Sequence, residues 1–470
     1  MTASRFATVA AALAVAMAPL AAQAAPADEA AFRAIFKEMV ETDTSAATGD
    51  CTLLANRIAT RMQAAGFPAA NMRLIVPEGA PKAGNLVAWL PGKDPKAKAV
   101  LMLGHIDVVN AFRADWTRDP FTLIEENGQF YGRGVSDMKS QDATWVDNMI
   151  RYNAEGFHPK RTIKMALTCG EEGGGFLNGA SWLAEHERDL VDAGLGLTEG
   201  GGGDLDADGK RLAVTVMAAE KIFSAFSLEI TGPGGHSSKP RNDNLIIALG
   251  QALANFKTLS FPTELNDNSR KYFTALAPQV EPQVGAAMRK ILTDPQDPGA
   301  NAILDRSVSY HAMLRTTCIP TLVEGGHAPN AQPQRAKALV NCRSLPGSSL
   351  DDIEAALTKA VDNPQIKVTR TVTGGVRAPA PPLTPQLMGP IAQVAAKVFP
   401  GVPVTPMQET FGTDAGRLTA VGVPVYGFSA LFRGDDAGNI HGLNEHISVQ
   451  SVMDGRDFMY RLVKLYAQQR

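Results

Sequence analysis

The sequence predicts a mostly parallel α/β domain that is interrupted by a smaller, inserted α+β domain. The chain has 470 residues, which exceeds the roughly 250–300 residues at which one hydrophobic core usually stops growing. Continuous apolar strands alternate with helical patterns in its first part, which is typical of a buried parallel sheet. Beyond residue 218 the strands instead alternate apolar and polar side chains, as in a sheet with one solvent-exposed face.

The composition is that of an ordinary globular protein. Charged residues make up 20% and hydrophobic residues 45% of the chain, which excludes a largely disordered or fibrous protein. The formal net charge is −3, and the absence of any long run of Lys or Arg gives no indication of a nucleic-acid partner. The four cysteines lack CxxC spacing, so they do not predict a zinc site built from thiolates.

Residues 1–24 have the pattern of a signal peptide. Arg5 precedes an Ala-rich apolar stretch that ends near Leu20, and Ala-Gln-Ala at positions 22–24 matches a cleavage site. A membrane anchor is the alternative, but the stretch is too short and too rich in Ala to span about 30 Å comfortably. We therefore expect an exported protein, periplasmic or secreted, with no membrane association.

The large domain begins with residues 25–217, where a helical pattern covers residues 30–66. Short apolar runs then predict strands of the central sheet, and helical patterns lie between and after them. The predicted strands cover residues 85–90, 99–104 and 162–167, and the predicted helices cover residues 144–155 and 180–193.

The inserted domain is predicted to cover residues 218–374, and residues 375–470 return to the large domain through a Gly- and Pro-rich linker at 374–385. Its elements follow the order strand, helix, strand, strand, helix, strand, which is typical of a ferredoxin-like fold. The Pro-rich residues 258–305 interrupt this order, and we expect them to be irregular. The six elements are predicted at residues 223–230, at 244–255, around Cys318, around Val340, at 350–361 and at 365–372.

Polar clusters flanked by glycine follow several of the apolar strands. Ligands of open α/β sheets bind outside the carboxyl ends of the strands, so we expect these clusters to meet at one edge. The clusters contain His105 and Asp107, Asp137, the adjacent Glu171 and Glu172, and Glu199.

Each cluster alone is a weak indication of function, because a His-x-Asp sequence is usually a surface pair and adjacent glutamates are usually solvated. Glutamates that end an apolar strand among glycines do not fit a solvated helix face, however. Carboxylates that point into one cleft repel each other unless a cation compensates them. Imidazole and carboxylates without thiolates suit Zn²⁺ with one open coordination position.

In this order the clusters resemble the co-catalytic dizinc peptidase family of carboxypeptidase G, aminoacylase and succinyl-diaminopimelate desuccinylase. The resemblance covers nearly the whole mature chain and implies a zinc-peptidase catalytic domain with an inserted lid and dimerisation domain. It rests on the motifs GHIDVV, GRGVSDMK, GEEGGG, TEGG and HGLNEH, and on GGHSS in the inserted domain.

The resemblance implies two Zn²⁺ ions per subunit, with Co²⁺ or Mn²⁺ as possible substitutes. Asp137 would bridge both ions. His105 and Glu199 would complete the ligands of one ion, and Glu172 and His441 would complete those of the other.

The resemblance also assigns roles in the chemistry. Glu171 would be the general base, which takes a proton from water and passes it to the leaving amine. Asp107 would hold the His105 ring in the tautomer that binds metal. His236 would donate to the oxyanion, often in the partner subunit's site, which implies a homodimer.

Three further residues would contact the substrate. Asn330 and Arg343 match residues that hold a substrate carboxylate, and Gly412 would offer a backbone contact. Without the resemblance, a surface salt bridge would be the preferred interpretation of Arg343. The long segment 258–305 could form a wall of the substrate cleft, which would favour a larger acyl group.

The predicted protein is a hydrolase that cleaves the amide bond of N-acyl amino acids or short peptides next to a free carboxylate. One alternative is an N-carbamoyl amino acid amidohydrolase on the same scaffold. The other is a non-catalytic zinc- or solute-binding protein, against which Glu171 argues, because a binding protein needs no base beside the metals.

The cysteines give one disulfide hypothesis. Cys318 and Cys342 are equally distant in sequence from Asn330, in the turn between their strands, so hairpin pairing would place them opposite each other. A slip of the register by one residue would separate them. Cys51 and Cys169 are expected to stay reduced.

Overall fold

The structure is a computed structural model that describes residues 27–372, 378 and 380–469. The predicted signal peptide, residues 1–24, lies outside the described residues, as do 374–377 and 379 of the predicted linker. In the described part of the chain, no helix combines the length and apolar character that crossing a membrane requires.

The large domain is built on a sheet to which ten described strands contribute, and helices cover both of its faces. The elements before the inserted domain are α1 (Ala27–Val40), α2 (Cys51–Ala64), β1 (Met72–Ile75), β2 (Asn85–Leu90), β3 (Val100–His105), β4 (Ile124–Glu126), β5 (Gln129–Tyr131), α3 (Lys139–Ala154), β6 (Ile163–Thr168), α4 (Gly179–His186), α5 (Arg188–Val191), β7 (Leu195–Thr198), β8 (Gly202–Leu205) and β9 (Arg211–Glu220).

The inserted domain carries a four-stranded antiparallel sheet among its described residues, with two helices packed on one face. Its elements are β10 (Ile222–Thr231), β11 (Gly235–His236), α6 (Leu245–Asn255), α7 (Asp267–Leu276), α8 (Pro282–Thr293), α9 (Pro298–Leu304), α10 (Val308–Leu314), β12 (Thr317–Gly325), β13 (Ala331–Gln332), β14 (Arg335–Ser344), α11 (Leu350–Val361) and β15 (Lys367–Val372).

The chain then returns to the large domain. The remaining elements are α12 (Pro385–Val398), β16 (Val404–Glu409), α13 (Asp414–Ala420), β17 (Val425–Gly427), β18 (Phe432–Arg433), β19 (His446–Ser448) and α14 (Val449–Gln468).

The centre of the large sheet is parallel, which confirms the predicted fold class. Strands β6, β3, β7 and β17 lie side by side and run in the same direction. Antiparallel pairs occur towards the margins, between β1 and β2, β2 and β6, and β8 and β9. The carboxyl ends of β6, β3 and β7 therefore meet at one edge.

The burial of the strands explains their sequence patterns. Every residue of β3 is buried, because helices cover both faces of the central sheet. In contrast, β14 alternates between buried and more exposed residues along nearly its whole length. Its sheet has the order β12-β14-β10-β15, with α6 and α11 against the buried face.

The prediction that residues 258–305 are irregular is wrong, because they form most of a helical insertion, α7 to α10. Pro282 and Pro298 occupy the first turns of α8 and α9, where a missing backbone N–H costs nothing. Although the insertion interrupts the small domain in sequence, Phe273 of α7 shares a core with Leu212 of β9 and Met407 of β16. It therefore packs on the large domain.

Two disulfides join the four cysteines. Cys318 and Cys342 are bonded and lie opposite each other across β12 and β14, with Cα atoms 4.1 Å apart. Cys51 and Cys169 are also bonded, so the expectation that they stay reduced is wrong. The first residue of α2 packs beneath the end of β6, a contact between segments 118 residues apart that no local pattern reveals.

We expect the Cys51–Cys169 disulfide to stabilise the loop that follows β6. The variant Cys51→Ala/Cys169→Ala should lower the free energy of unfolding by about 2–4 kcal/mol, because the bridge closes a long loop of the unfolded chain. Urea unfolding measures the loss, and hydrogen exchange should show faster exchange after residue 169. Cys318→Ala/Cys342→Ala is the matched control and should leave that exchange unchanged. An unaltered unfolding midpoint in the first variant would contradict the assignment.

Candidate metal centre

Three adjacent parallel strands carry four of the six candidate site residues at or just after their carboxyl ends. His105 is the last residue of β3, and Glu199 directly follows β7. Glu171 and Glu172 follow β6 after a turn at Gly170, whose φ of +91° and close approach to Leu177 leave no room for a side chain. Asp137 precedes α3 and His441 precedes β19. The structure brings all six of these residues to one edge of the sheet.

The side chains form two groups that share one residue. In the first group, His105 Nε2 lies 3.2 Å from Asp137 Oδ1 and 3.5 Å from Glu199 Oε1. In the second, His441 Nε2 lies 3.1 Å from Asp137 Oδ2 and 3.0 Å from Glu172 Oε1. Asp137 thus offers one oxygen to each group, and the donor atoms of each group all lie within 4.8 Å of one another.

The electrostatics of these groups call for added positive charge. Burial, reinforced by Asp137, raises the pKa of Glu199 to about 8. For His441, burial alone would lower the pKa, but hydrogen bonds to Asp137 and Glu172 outweigh it and raise the pKa to about 10. Protons therefore bind tightly where the carboxylates converge. Imidazole and carboxylate donors at this spacing fit divalent metal ions.

Asp107 contacts the His105 ring through its backbone carbonyl and not through its carboxylate. His105 Nδ1 lies 3.1 Å from the backbone oxygen of Asp107 but 3.8 Å from its carboxylate, which is too long for a hydrogen bond. The carboxylate instead accepts hydrogen bonds from the backbone N–H groups of Gly170, Glu171 and Glu172, at 2.7, 3.3 and 3.1 Å. Asp107 thus contacts the ring through its carbonyl and shapes the glutamate loop through its carboxylate.

Glu171 belongs to neither donor group and lines the cavity beside them. Burial, with added repulsion from Glu199, raises its pKa well above the ordinary value of a glutamate. A carboxylate with a raised proton affinity next to a metal-binding cluster is suited to accept and return a proton.

A cavity of about 710 Å³ extends from the two donor groups to the inserted domain. Arg343 and Gly412 line it, as the substrate roles predicted for them require. The Arg343 guanidinium lies 5.1 Å from the centre of the Phe223 ring. Arg343 is therefore a residue of the cavity and not part of a surface salt bridge.

His236 and Asn330 lie outside this cavity. His236 is on β11 and Asn330 directly precedes β13, and these two short strands pair with each other. Both residues are exposed, and His236 Nδ1 accepts a hydrogen bond from the backbone N–H of Ser238 at 3.1 Å. Within one chain, the structure does not bring either residue to the metal centre.

The helical insertion forms part of the cavity wall, through Tyr272, Ser309 and Met313. The Tyr272 hydroxyl donates to Asp204 Oδ2 at 3.0 Å, which connects α7 to β8. The segment hypothesised to border the cleft does so, although the acyl size that it favours stays a prediction.

Lys221, which none of the sequence motifs contains, lies between β9 and β10 and is 1% exposed. Its Nζ donates to the backbone oxygens of Ala312 and Arg315, both at 2.9 Å, and to Thr317 Oγ1 at 3.0 Å. Burial lowers the pKa of Lys221 to about 7. A lysine at the end of a long apolar strand, as in AEKIF, is the feature that could have identified it.

Comparison with known proteins identifies the family of the chain. The sequence matches the peptidase family M20/M25/M40 over residues 101–465. The chain belongs to this family. The M20 assignment makes the protein a hydrolase of the metallopeptidase and amidohydrolase type, and confirms the family predicted from the motifs.

Several M20 relatives are similar along most of the chain. Probable carboxypeptidase S-like 2 of Dictyostelium discoideum is 26% identical over 390 residues, which cover 81% of this chain and 74% of that protein. The mouse (Mus musculus) N-fatty-acyl-amino acid synthase/hydrolase PM20D1 is 26% identical over 388 residues, which cover 80% and 75%.

Solved structures share the fold. The M20 metallo-carboxypeptidase Sso-CP2 of Sulfolobus solfataricus has a TM-score of 0.67 at 18% identity, covering 93% of this chain and 99% of that one. Human carnosine dipeptidase 1 has a TM-score of 0.68 at 17% identity, covering 94% and 97%. Another structure with this fold, from Bacillus subtilis, is described as a dinuclear metal-binding peptidase of the M20 family.

The adjacent glutamates should respond differently to the same substitution. Glu171→Gln should keep the metal content and lose most turnover, because a base needs an oxygen that can be protonated. Glu172→Gln should lose affinity at one metal site, because a ligand needs its charge. Elemental analysis of the purified variants, together with kcat, measures both effects. A kcat near that of the wild type in Glu171→Gln would exclude Glu171 as the base.

Proposed function

We propose that this protein is an exported hydrolase with two zinc ions that cleaves the amide bond of N-acyl amino acids or short peptides next to a free carboxylate. The observation that carries the proposal is the cavity itself. Glu171 lies there beside two donor groups that share Asp137, and Arg343 lines the same cavity from the inserted domain. A proton acceptor, a metal centre and an anion-binding group are thus combined.

The chain's own residues define the steps. Two divalent ions, when bound by His105, Asp137, Glu199, Glu172 and His441, would supply Lewis acidity for attack on the amide carbonyl. Glu171 accepts the proton of the attacking water and delivers it to the leaving amine. The Arg343 guanidinium holds the substrate carboxylate, and the backbone at Gly412 borders the same cavity.

The substrate class follows from chemistry that N-acyl amino acids and peptides share. One relative is named for hydrolysis of N-fatty-acyl amino acids, and others are named carboxypeptidases. Each name describes an amide bond next to an amino acid. Tyr272 and Met313 give the cavity wall an aromatic and a thioether surface, and we propose that an acyl group larger than acetyl lies against it.

Export is supported by two independent features. Residues 1–24 have the pattern of a signal peptide. The described chain contains two disulfides, at Cys51–Cys169 and Cys318–Cys342. Disulfides persist in oxidising compartments such as the periplasm and the extracellular space.

A homodimer through the inserted domain would give His236 a place in the reaction. The edge strand β12 and helix α6 expose apolar side chains, including Val323 at 68% and Ile247 at 61%. An unpaired edge with apolar side chains is suited to associate with a second copy. We propose that the partner subunit's His236 completes the cavity and donates to the oxyanion.

A substrate panel tests the function. Metal-loaded protein should hydrolyse N-acyl amino acids or dipeptides, and the amides of the same substrates without a free carboxylate should react poorly. N-carbamoyl amino acids are included because they test the alternative on the same scaffold. Turnover of the N-carbamoyl compounds alone, or no turnover of any member, would contradict the proposal.

Arg343→Ala should raise KM for carboxylate-bearing substrates by about 10- to 100-fold, because it removes a charge-assisted contact. Its effect on kcat should be small, since the contact exists before and during the reaction. Arg335→Ala is the matched control on the same strand, where Arg335 is 68% exposed. Equal KM values for Arg343→Ala and the wild type would remove Arg343 from substrate binding.

Mixed dimers test the role of His236. His236→Ala and Glu171→Gln should each be inactive alone, because they lack the oxyanion donor and the base. If His236 acts across the dimer, one site of each mixed dimer keeps both residues, and mixing should restore activity. Subunit exchange is verified with differently tagged chains. A mixture that stays inactive after exchange would show that His236 does not act in the partner's site.

A further inference from the structure

A buried carboxylate organises the loop that carries Asp137. Glu445 is 0% exposed and both of its oxygens are occupied. Oε1 accepts from the backbone N–H groups of Ser136 and Asp137, at 2.8 and 3.1 Å. Oε2 accepts from the backbone N–H of Gly134 at 3.0 Å and from Arg133 Nη1 at 2.8 Å. Glu445 therefore fixes the backbone at the residue that both donor groups share.

Arg133 connects this loop to the one that carries His441. While Nη1 binds Glu445, Nη2 donates to the backbone oxygens of His441 and Gly442, at 3.3 and 3.0 Å. The guanidinium also lies 5.0 Å from the centre of the Trp116 ring. Because Arg133 is 2% exposed and its guanidinium is rigid, these contacts set the distance between the two loops.

His441 depends on this support more than His105 does. The His105 ring is 2% exposed and its Nδ1 is hydrogen-bonded to the backbone oxygen of Asp107. The His441 ring is 50% exposed, and its Nε2 contacts the candidate ligands Asp137 and Glu172, at 3.1 and 3.0 Å. The backbone of His441 has a positive φ of +64°, which is uncommon for residues other than glycine, so contacts that hold this conformation are important. Arg133 supplies such contacts through its hydrogen bonds to the carbonyls of residues 441 and 442.

We propose that Arg133 and Glu445 are positioning residues for metal binding: Glu445 places Asp137, and Arg133 places His441 in the group with Asp137 and Glu172. The inference rests on the proposed dinuclear function. It assigns a ligand-placing role to two residues that are neither ligands nor substrate contacts.

The two residues should have distinguishable effects. Asp137 contributes to both donor groups, so displacing its backbone weakens both metal sites. His441 contributes to one group, so releasing its backbone weakens one site. A lysine at position 133 would keep a positive charge beside Glu445, but its single nitrogen could not also reach the 441–442 carbonyls. Arg133→Lys therefore separates placement of His441 from neutralisation of Glu445.

The experiment titrates metal-free protein with Zn²⁺ in competition with a chelating dye, and records the melting temperature of the same samples. Arg133→Lys should weaken one of two equivalents by about 10- to 100-fold, as expected for loss of a partner that orients a ligand. Glu445→Gln should weaken the binding of both Zn²⁺ equivalents. The NH₂ group of the glutamine cannot accept a hydrogen bond, so it would displace the backbone N–H donors that it faces.

The matched control is Asp147→Asn, which removes another buried ion pair. Asp147 is 2% exposed and accepts from Arg456 Nε at 2.8 Å, between α3 and α14. It should lower the melting temperature at least as much as Arg133→Lys does and leave both zinc equivalents unchanged. A loss of stability alone would therefore not reproduce the predicted pattern.

Wild-type affinity at both equivalents in Arg133→Lys would overturn the role of Arg133. If that variant fails to fold, Glu445→Gln decides by the same criterion, and unchanged affinity there would overturn the inference. Failure of the wild type to bind two equivalents would instead overturn the proposed dinuclear function, and the inference with it. The wild-type titration thus distinguishes the two failures.

Discussion

The mutual repulsion of buried carboxylates is the constraint on which the site depends. Asp137, Glu172 and Glu199 converge where three loops meet, and Glu171 lies beside them. Removing such charges from water costs several kcal/mol per ion unless a cation compensates them. The raised pKa of His441 shows the same demand, because a proton there balances Asp137 and Glu172. The surrounding structure keeps these groups together against their repulsion.

Two further buried carboxylates, those of Asp107 and Glu445, hold the loops that carry these groups. Asp107 accepts backbone N–H groups from the loop of Glu171 and Glu172, and Glu445 does the same for the loop of Asp137. In both cases, the negative charge of the carboxylate is stabilised by backbone N–H groups of the loop whose conformation the carboxylate fixes. The site therefore has an inner layer of candidate metal ligands and an outer layer of carboxylates that hold the backbone.

The sequence predicted those parts of the fold that depend on local pattern. The strands before His105 and Glu171 are continuous apolar runs, and parallel pairing brings their ends together by geometry alone. Residues 258–305 look irregular in sequence because proline breaks a helix in its interior but is favoured in its first turn, where Pro282 and Pro298 lie. The partner of Cys51 and the bridging contacts of Arg133 depend on tertiary packing, which no local pattern of the sequence encodes.

Lys221 holds two of the chain connections between the domains close to each other. The chain passes from β9 to β10 at Lys221, and the same side chain holds the carbonyls of Ala312 and Arg315, where the chain passes from α10 to β12. If the inserted domain rotated about Lys221, Arg343 would move little, because it lies close to the axis. It pairs with Phe223, two residues beyond Lys221. His236 would move further, because it lies beyond the other end of β10 and thus further from Lys221. One rigid rotation would thus leave Arg343 almost in place, while the hairpin of β11 and β13 would move much further.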